Sequence, residues 1–382
     1  MNVRSLLIGT LAFGCIGLAG CEKKTSSEIA QPSVPAASDS QPASSSSEEN
    51  ASRFASIFEA AEKGSVEDIE HFLKQGQKID VKDSDEGTLL HWAARDNFRV
   101  DVSKYLITKG LDVNAKSDSG DTPLHLAALE NPNVEVAKYL IEKGADVNAK
   151  TNNGIMPLHL AARSNPNVEV TKYLIEKGAE INAKTNYGNT PLHVAAWENP
   201  NVEVAKYLIE KGAEINTKNN YGNTPLHAAA WYNDNIEVLK FLHESGLDIH
   251  VKNNIGETLM HRAYNVDVVK YLIEKGLQID AKDDLDRTPL FGVAAHTSAK
   301  DDTIVETLRY LIDRGANVNA KDYFGDTVLH YAVRRGAAPA VVQCLIERGA
   351  DVNKTGAGNR TPLGTVLRVK ELESTLRAAG GK

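Results

Sequence analysis

Residues 120–153 read GDTPLHLAALENPNVEVAKYLIEKGADVNAKTNN, and the two stretches of equal length that follow, 154–187 and 188–221, repeat them. The three agree at 23 of 34 columns, so they are one structural unit copied along the chain rather than three folds. Thr122-Pro123-Leu124-His125 returns as Met156-Pro157-Leu158-His159, Thr190-Pro191-Leu192-His193 and Thr224-Pro225-Leu226-His227, each 34 residues on. Looser copies begin at Thr88, Thr258, Thr288, Thr327 and Thr361, and residues 55–76 align as a divergent first unit. About ten units fill 53–382, near 53–85, 86–119, 120–153, 154–187, 188–221, 222–255, 256–285, 286–324, 325–358 and 359–382.

Each unit spells two helices. Thr122 is a good N-cap, and Pro123 suits the first helical turn, where its missing N–H costs nothing. His125 stands at the third helical position and can bond back to the cap. Ala127 and Ala128 let neighbouring helices approach closely. Asn131-Pro132-Asn133 ends the first helix. Val134, Ala137, Leu140 and Ile141 then place apolar groups on one face of a second helix, which Gly144 stops in a left-handed conformation. No unit can bury its apolar face alone, so stability is shared along a stack.

This pattern closely resembles the ankyrin repeat: a turn, then Gly-x-Thr-Pro-Leu-His-x-Ala-Ala, then a second helix ending in Gly-Ala-Asp-Val-Asn-Ala. The resemblance implies an all-α solenoid of helix-turn-helix units with outward β-hairpin loops and a concave, partner-binding face. Departures stand out against it. Met156 replaces the N-cap threonine, at an expected cost of roughly 1 kcal/mol. The 256–285 unit has lost part of its inter-helix turn, 286–324 carries an insertion near His296, and Phe291 replaces the repeat histidine; a local break is expected over 256–310. The last unit reads as a polar cap, and Trp92 and Cys344 as core residues.

Residues 1–20 have a basic Arg4 followed by a short apolar run from Leu6 to Leu18, the layout of a secretory signal. Leu18-Ala19-Gly20-Cys21 resembles the bacterial lipobox, which implies cleavage before Cys21, lipid on its thiol and a membrane anchor; Glu22 in the following position favours the outer membrane, with the repeats in the periplasm. Residues 22–52, rich in Ser, Ala, Pro and Glu, are expected to form a disordered tether spanning roughly 30 Å.

The net charge of −8 argues against a nucleic-acid partner. Seven of the 11 histidines, His91, His125, His159, His193, His227, His261 and His330, are the repeat histidine, spaced too far apart to share a metal. No phosphate loop, nucleophile elbow or metalloprotease motif occurs, so neither a cofactor nor catalysis is expected.

Binding is expected where the three copies differ most: 121/155/189, 129/163/197, 130/164/198 and 153/187/221. By the resemblance these are hairpin tips and the exposed end of the first helix. Tyr187, Trp197, Tyr221, Trp231 and Tyr232 are the candidate partner-binding residues, with Phe324 a more distant one, since Tyr and Trp make good interface anchors. The competing reading is that these rings pad the gaps between units. The function expected is a membrane-tethered interaction module of the cell envelope, or alternatively a periplasmic immunity protein or inhibitor that neutralises a toxin or lipolytic enzyme.

Overall fold

A computed structural model describes residues 53–382, except 234, 297–300 and 366–369. The expected signal segment, Cys21 and the tether lie outside the described residues. Two rows of helices follow one another. The first row holds Ile57–Lys63, Leu89–Asp96, Pro123–Glu130, Pro157–Ser164, Pro191–Glu198, Pro225–Tyr232, Pro289–Ala294 and Val328–Arg335. The second holds Val66–Lys74, Val100–Thr108, Val134–Glu142, Val168–Glu176, Val202–Glu210, Ile236–Glu244, Val266–Glu274, Asp301–Asp313, Pro339–Glu347 and Lys370–Ala378. Each first-row helix packs on the next, except that a short 3₁₀ turn, Leu259–Arg262, stands between Pro225–Tyr232 and Pro289–Ala294 and packs on both; most second-row helices also pack on their successors. This is the expected all-α solenoid. The loops between units are tight turns: Thr151 N–H donates to the Ile155 carbonyl at 2.9 Å, and the described residues hold only two isolated antiparallel bridges, Lys82 with Thr88 and Lys321 with Thr327.

The seam between the rows is the core. Leu124, Ala128, Val136 and Leu140 are completely buried. Gly154 shows why the turn needs glycine: its φ is +72°, and a Cβ there would stand 3.0 Å from the Asn186 backbone nitrogen.

Two polar ladders lace the stack together. In the first, each repeat histidine accepts at Nδ1 from the backbone N–H of its cap residue (Met156 for His159, threonine elsewhere), and all but His227 donate from Nε2 to a carbonyl of the next unit. His91 reaches Asp121 O at 3.0 Å, His125 reaches Ile155 O at 3.1 Å, and His330 reaches Arg360 O at 2.9 Å. A backbone N–H only donates and a carbonyl only accepts, so these contacts select the neutral Nε2–H tautomer. His227, which faces the short unit, lacks a well-formed bond at Nε2. The second ladder was hidden in the Asn-Pro-Asn turn. Asn131 is buried, and its Nδ2 donates to Ala94 O at 2.9 Å and Asn97 O at 3.0 Å in the preceding unit. Asn97, Asn165, Asn199 and Asn233 make equivalent backward bonds.

Met156 is fully buried, and His159 still accepts from its backbone N–H at 3.2 Å, so only the cap hydroxyl's bond is missing. Two expectations need correction. Trp92 is only half-buried, because its indole N–H donates to Asp83 at 2.6 Å while Arg95 lies 4.6 Å over the ring. The 256–285 unit is shortened more severely than its sequence suggested: a single 3₁₀ turn, Leu259–Arg262, stands in place of its first helix. Cys344 is buried as expected, which pushes its thiol pKa up.

Candidate functional site

Two of the variable columns, 129/163/197 and 153/187/221, turn aromatic in the middle of the stack. Hairpin tips are tied across units by backbone bonds: Asn220 N–H to Tyr187 O at 3.0 Å, Asn254 to Tyr221 O at 3.0 Å, Asp284 to Ile255 O at 3.1 Å and Tyr323 to Leu285 O at 2.8 Å. The side chains at the accepting positions therefore form one column. It is polar early in the chain (Asp85, Ser119, Asn153) and apolar from Tyr187 through Tyr221, Ile255 and Leu285 to Phe324. Ile255 is 38% exposed and Phe324 57%. Tyr323, 71% exposed, packs edge-on against Phe324 at 5.4 Å.

The five candidate residues divide. Trp231 and Tyr232 stack at 5.0 Å, and Trp197 meets Tyr232 at 5.7 Å, so three rings form one cluster. Within it Trp197 and Trp231 are buried, at 6% and 8% exposure, and only Tyr232 is open, at 39%. Most of the surface of both indoles is buried, although Trp231 also borders two small pockets. Their place at the end of first-row helices puts them between neighbouring units, and they belong to the packing. Tyr187 and Tyr221 are half-buried at the hairpin tips, and Tyr221 lines a small pocket together with Ile255, Trp231 and Arg262.

Sequence reading missed the residues around the cluster, because they lie in the units that depart from the repeat. Arg262 lies 4.5 Å over Trp231 and grips Glu257 with two bonds, Nη2–Oε1 at 2.8 Å and Nε–Oε2 at 3.0 Å. Burial opposes charge on both groups, but their mutual attraction outweighs it, raising the arginine pKa and lowering that of the carboxyl. Arg287 pairs likewise with Asp283 at 2.6 Å and donates to the Tyr331 hydroxyl at 3.2 Å. Burial, with Arg262 nearby, lowers His296 to about 4 and leaves it neutral at pH 7. Among the described residues no group of three His, Cys, Asp or Glu side chains is placed to hold a metal ion.

Family comparison agrees with this architecture. Ankyrin repeats (3 copies) match residues 57–151, 148–219, 226–322 and 259–356, and Ankyrin repeats (many copies) match 198–243. The chain belongs to the ankyrin repeat family. Ankyrin repeats serve in general as protein–protein interaction modules rather than as enzymes. No curated protein matches the chain. Among the described residues no helix of this ankyrin-repeat protein is long and apolar enough to cross a membrane.

Proposed function

We propose that this ankyrin-repeat chain is a lipid-anchored protein of a bacterial cell envelope, attached through Cys21, that captures a protein partner on the C-terminal half of its repeats without catalysing a reaction. The carrying observation is the apolar hairpin column from Tyr187 to Phe324, in which Ile255 and Phe324 are exposed and Tyr187, Tyr221 and Leu285 half-buried, together with exposed Tyr232. Clustered exposed apolar side chains mark an interaction surface, and the column is polar before Tyr187. The repeat histidines are engaged in holding units together, which removes the most obvious source of acid–base chemistry.

Crosslinking in native cells followed by mass spectrometry tests this. A Tyr232→Ser/Phe324→Ser double variant should lose a partner that the parent captures. A partner captured equally by both proteins would defeat the proposed surface. Radiolabelled palmitate should enter the parent and not Cys21→Ser; labelling of both would remove Cys21 as the anchor. A second reading, an inhibitor or immunity protein acting on a basic toxin or lipolytic enzyme, draws on the net charge of −8. Protection of cells against such an effector would favour it.

A further inference from the structure

Where the repeat is broken, a pocket opens. The first helix of the short unit ends after one turn at Arg262, whereas its predecessor, Pro225–Tyr232, has 8 residues. On one side the following helix closes against that turn. A Cβ on Gly292 would stand 2.1 Å from the His261 carbonyl oxygen, so glycine alone fits. On the other side about 220 Å³ is left, with Trp231, Arg262, Arg287, Thr288, Tyr331 and Arg335 in its lining. Pockets for drug-sized ligands run to roughly 300–1,000 Å³, so this one is sized for a single side chain or a small molecule.

Its charges do not balance. Arg262 is matched by Glu257 and Arg287 by Asp283. Arg335 has no carboxylate partner among the described residues; its Nη2 donates to the Tyr331 hydroxyl at 3.0 Å. Both histidines of the lining, His261 and His296, are held neutral at pH 7 by burial. Among the described residues of the lining, three guanidinium groups therefore face two carboxylates, an excess of one positive charge in a chain of net charge −8.

Two hydroxyls lack partners. Tyr331 accepts N–H bonds from both Arg287 and Arg335, which fills its lone pairs, and its own proton meets no acceptor among the described residues. Thr288 is 2% exposed and its Oγ1 has no bond, because Phe291 stands where other units supply the histidine that pairs with the cap threonine. Leaving a buried hydroxyl unpaired costs roughly 1–3 kcal/mol. The lining thus offers one unmatched cation and two hydroxyls without acceptors, with Tyr232 also among its residues.

We propose that this pocket binds one carboxylate, presented as an acidic side chain of the protein partner. The pocket chemistry stands on its own, while the partner as its source rests on the interaction reading above. A guanidinium accepts a carboxylate through paired N–H bonds, a single negative charge matches the excess, and the volume admits one such side chain. Because the chain is acidic overall, this locally cationic spot is where an acidic side chain is best accepted.

The test is isothermal titration of the purified full chain with N-acetylglutamate N-methylamide, its glutamine counterpart and inorganic phosphate. The glutamate compound should bind saturably and at least about tenfold more tightly than the glutamine compound, the scale of one charged hydrogen bond. Arg335→Gln should abolish that preference with an unchanged thermal unfolding midpoint, and Tyr331→Phe should weaken binding while leaving Arg335 in place. Equal binding of the two compounds, no binding of either, or a preference that survives Arg335→Gln would overturn the proposal. Tighter binding of phosphate would overturn its carboxylate assignment. In cells, partner capture should also fall with Arg335→Gln. Capture that depends on Tyr232 and Phe324 but ignores Arg335 would sink the pocket and spare the interaction surface. Glutamate binding with no partner captured would do the reverse and leave a site for a free acid.

Discussion

His193 Nε2 donates to the carbonyl of Asn223, 3.1 Å away in the next unit. The two bonds of the ring coexist only while it is neutral, since Nδ1 accepts from Thr190 N–H at 3.3 Å and protonation there would set two donors against each other. Burial lowers His159, His193 and His227 to about 4, against the ordinary 6.5. A base whose folded pKa is depressed gives stability that is complete above 6.5 and lost as pH falls toward 4, because the unfolded chain takes up the proton first. Each of the three stands to lose up to about 3 kcal/mol over that window. Thermal unfolding followed from pH 7 to 4 should show the midpoint falling steadily from near pH 6.5, ahead of carboxylate titration. A midpoint flat down to pH 4.5 would show that the ladder does not titrate this way. His193→Ala should lower the midpoint at pH 7 and reduce its slope with pH.

The asparagine ladder makes a separate demand. Asn131→Ala would leave two buried carbonyls, of Ala94 and Asn97, without their donor, and it would free the backbone N–H of Asn133, now bonded to Asn131 Oδ1 at 2.9 Å. We expect a loss of about 2–3 kcal/mol in urea unfolding. Asn152→Ala, which breaks an exposed bond to Asp118 O at 2.8 Å, should cost about 0.5 kcal/mol or less. Similar losses at the two sites would refute the distinction.

How much of this was legible in the sequence depends on whether a residue obeyed the repeat. Thr122, Pro123, His125 and Gly144 could be placed from their column alone, because local capping and turn rules fix them whatever lies next door. Asn131 could not: a turn asparagine and a cross-unit donor look the same until the preceding unit's carbonyls are in place. Trp197 and Trp231 show the opposite failure. Their variation among copies suggested exposure, but variation also marks where one unit must fit a different neighbour. Arg287 and Arg335 stand in the variable columns 121/155/189 and 130/164/198, but nothing in those columns shows that they meet Arg262, since the lost turn that brings the three together is an absence in the sequence.

Met156→Thr restores the repeat's cap and, by sequence rules, should stabilise by about 1 kcal/mol. The structure reverses the sign. Met156 is 1% exposed, and burial of such a side chain is worth about 1.5–3 kcal/mol. The cap gain does not cover that loss, so the variant should be less stable by about 1 kcal/mol in denaturant unfolding. A rise in stability would show that the thioether is poorly packed.

Trp231 and Tyr232 are adjacent, stacked at 5.0 Å, and set to different tasks. Trp231 is 8% exposed and carries Arg262 on its face at 4.5 Å, so Trp231→Ala should open a cavity, unseat the arginine and cost about 3–5 kcal/mol. Tyr232→Ser removes a ring already 39% exposed and should cost under about 1 kcal/mol. Denaturant unfolding of the purified variants separates the two, and partner capture then gains a clean control. Under conditions where both variants are fully folded, Tyr232→Ser should weaken capture through lost contact. Trp231→Ala should weaken it only through displacement of Arg262, and so lose the preference for a carboxylate as well. Comparable stability losses at the two positions would mean that Tyr232 is a packing residue too, which would leave the hairpin column from Tyr187 to Phe324 as the whole of the apolar contact surface.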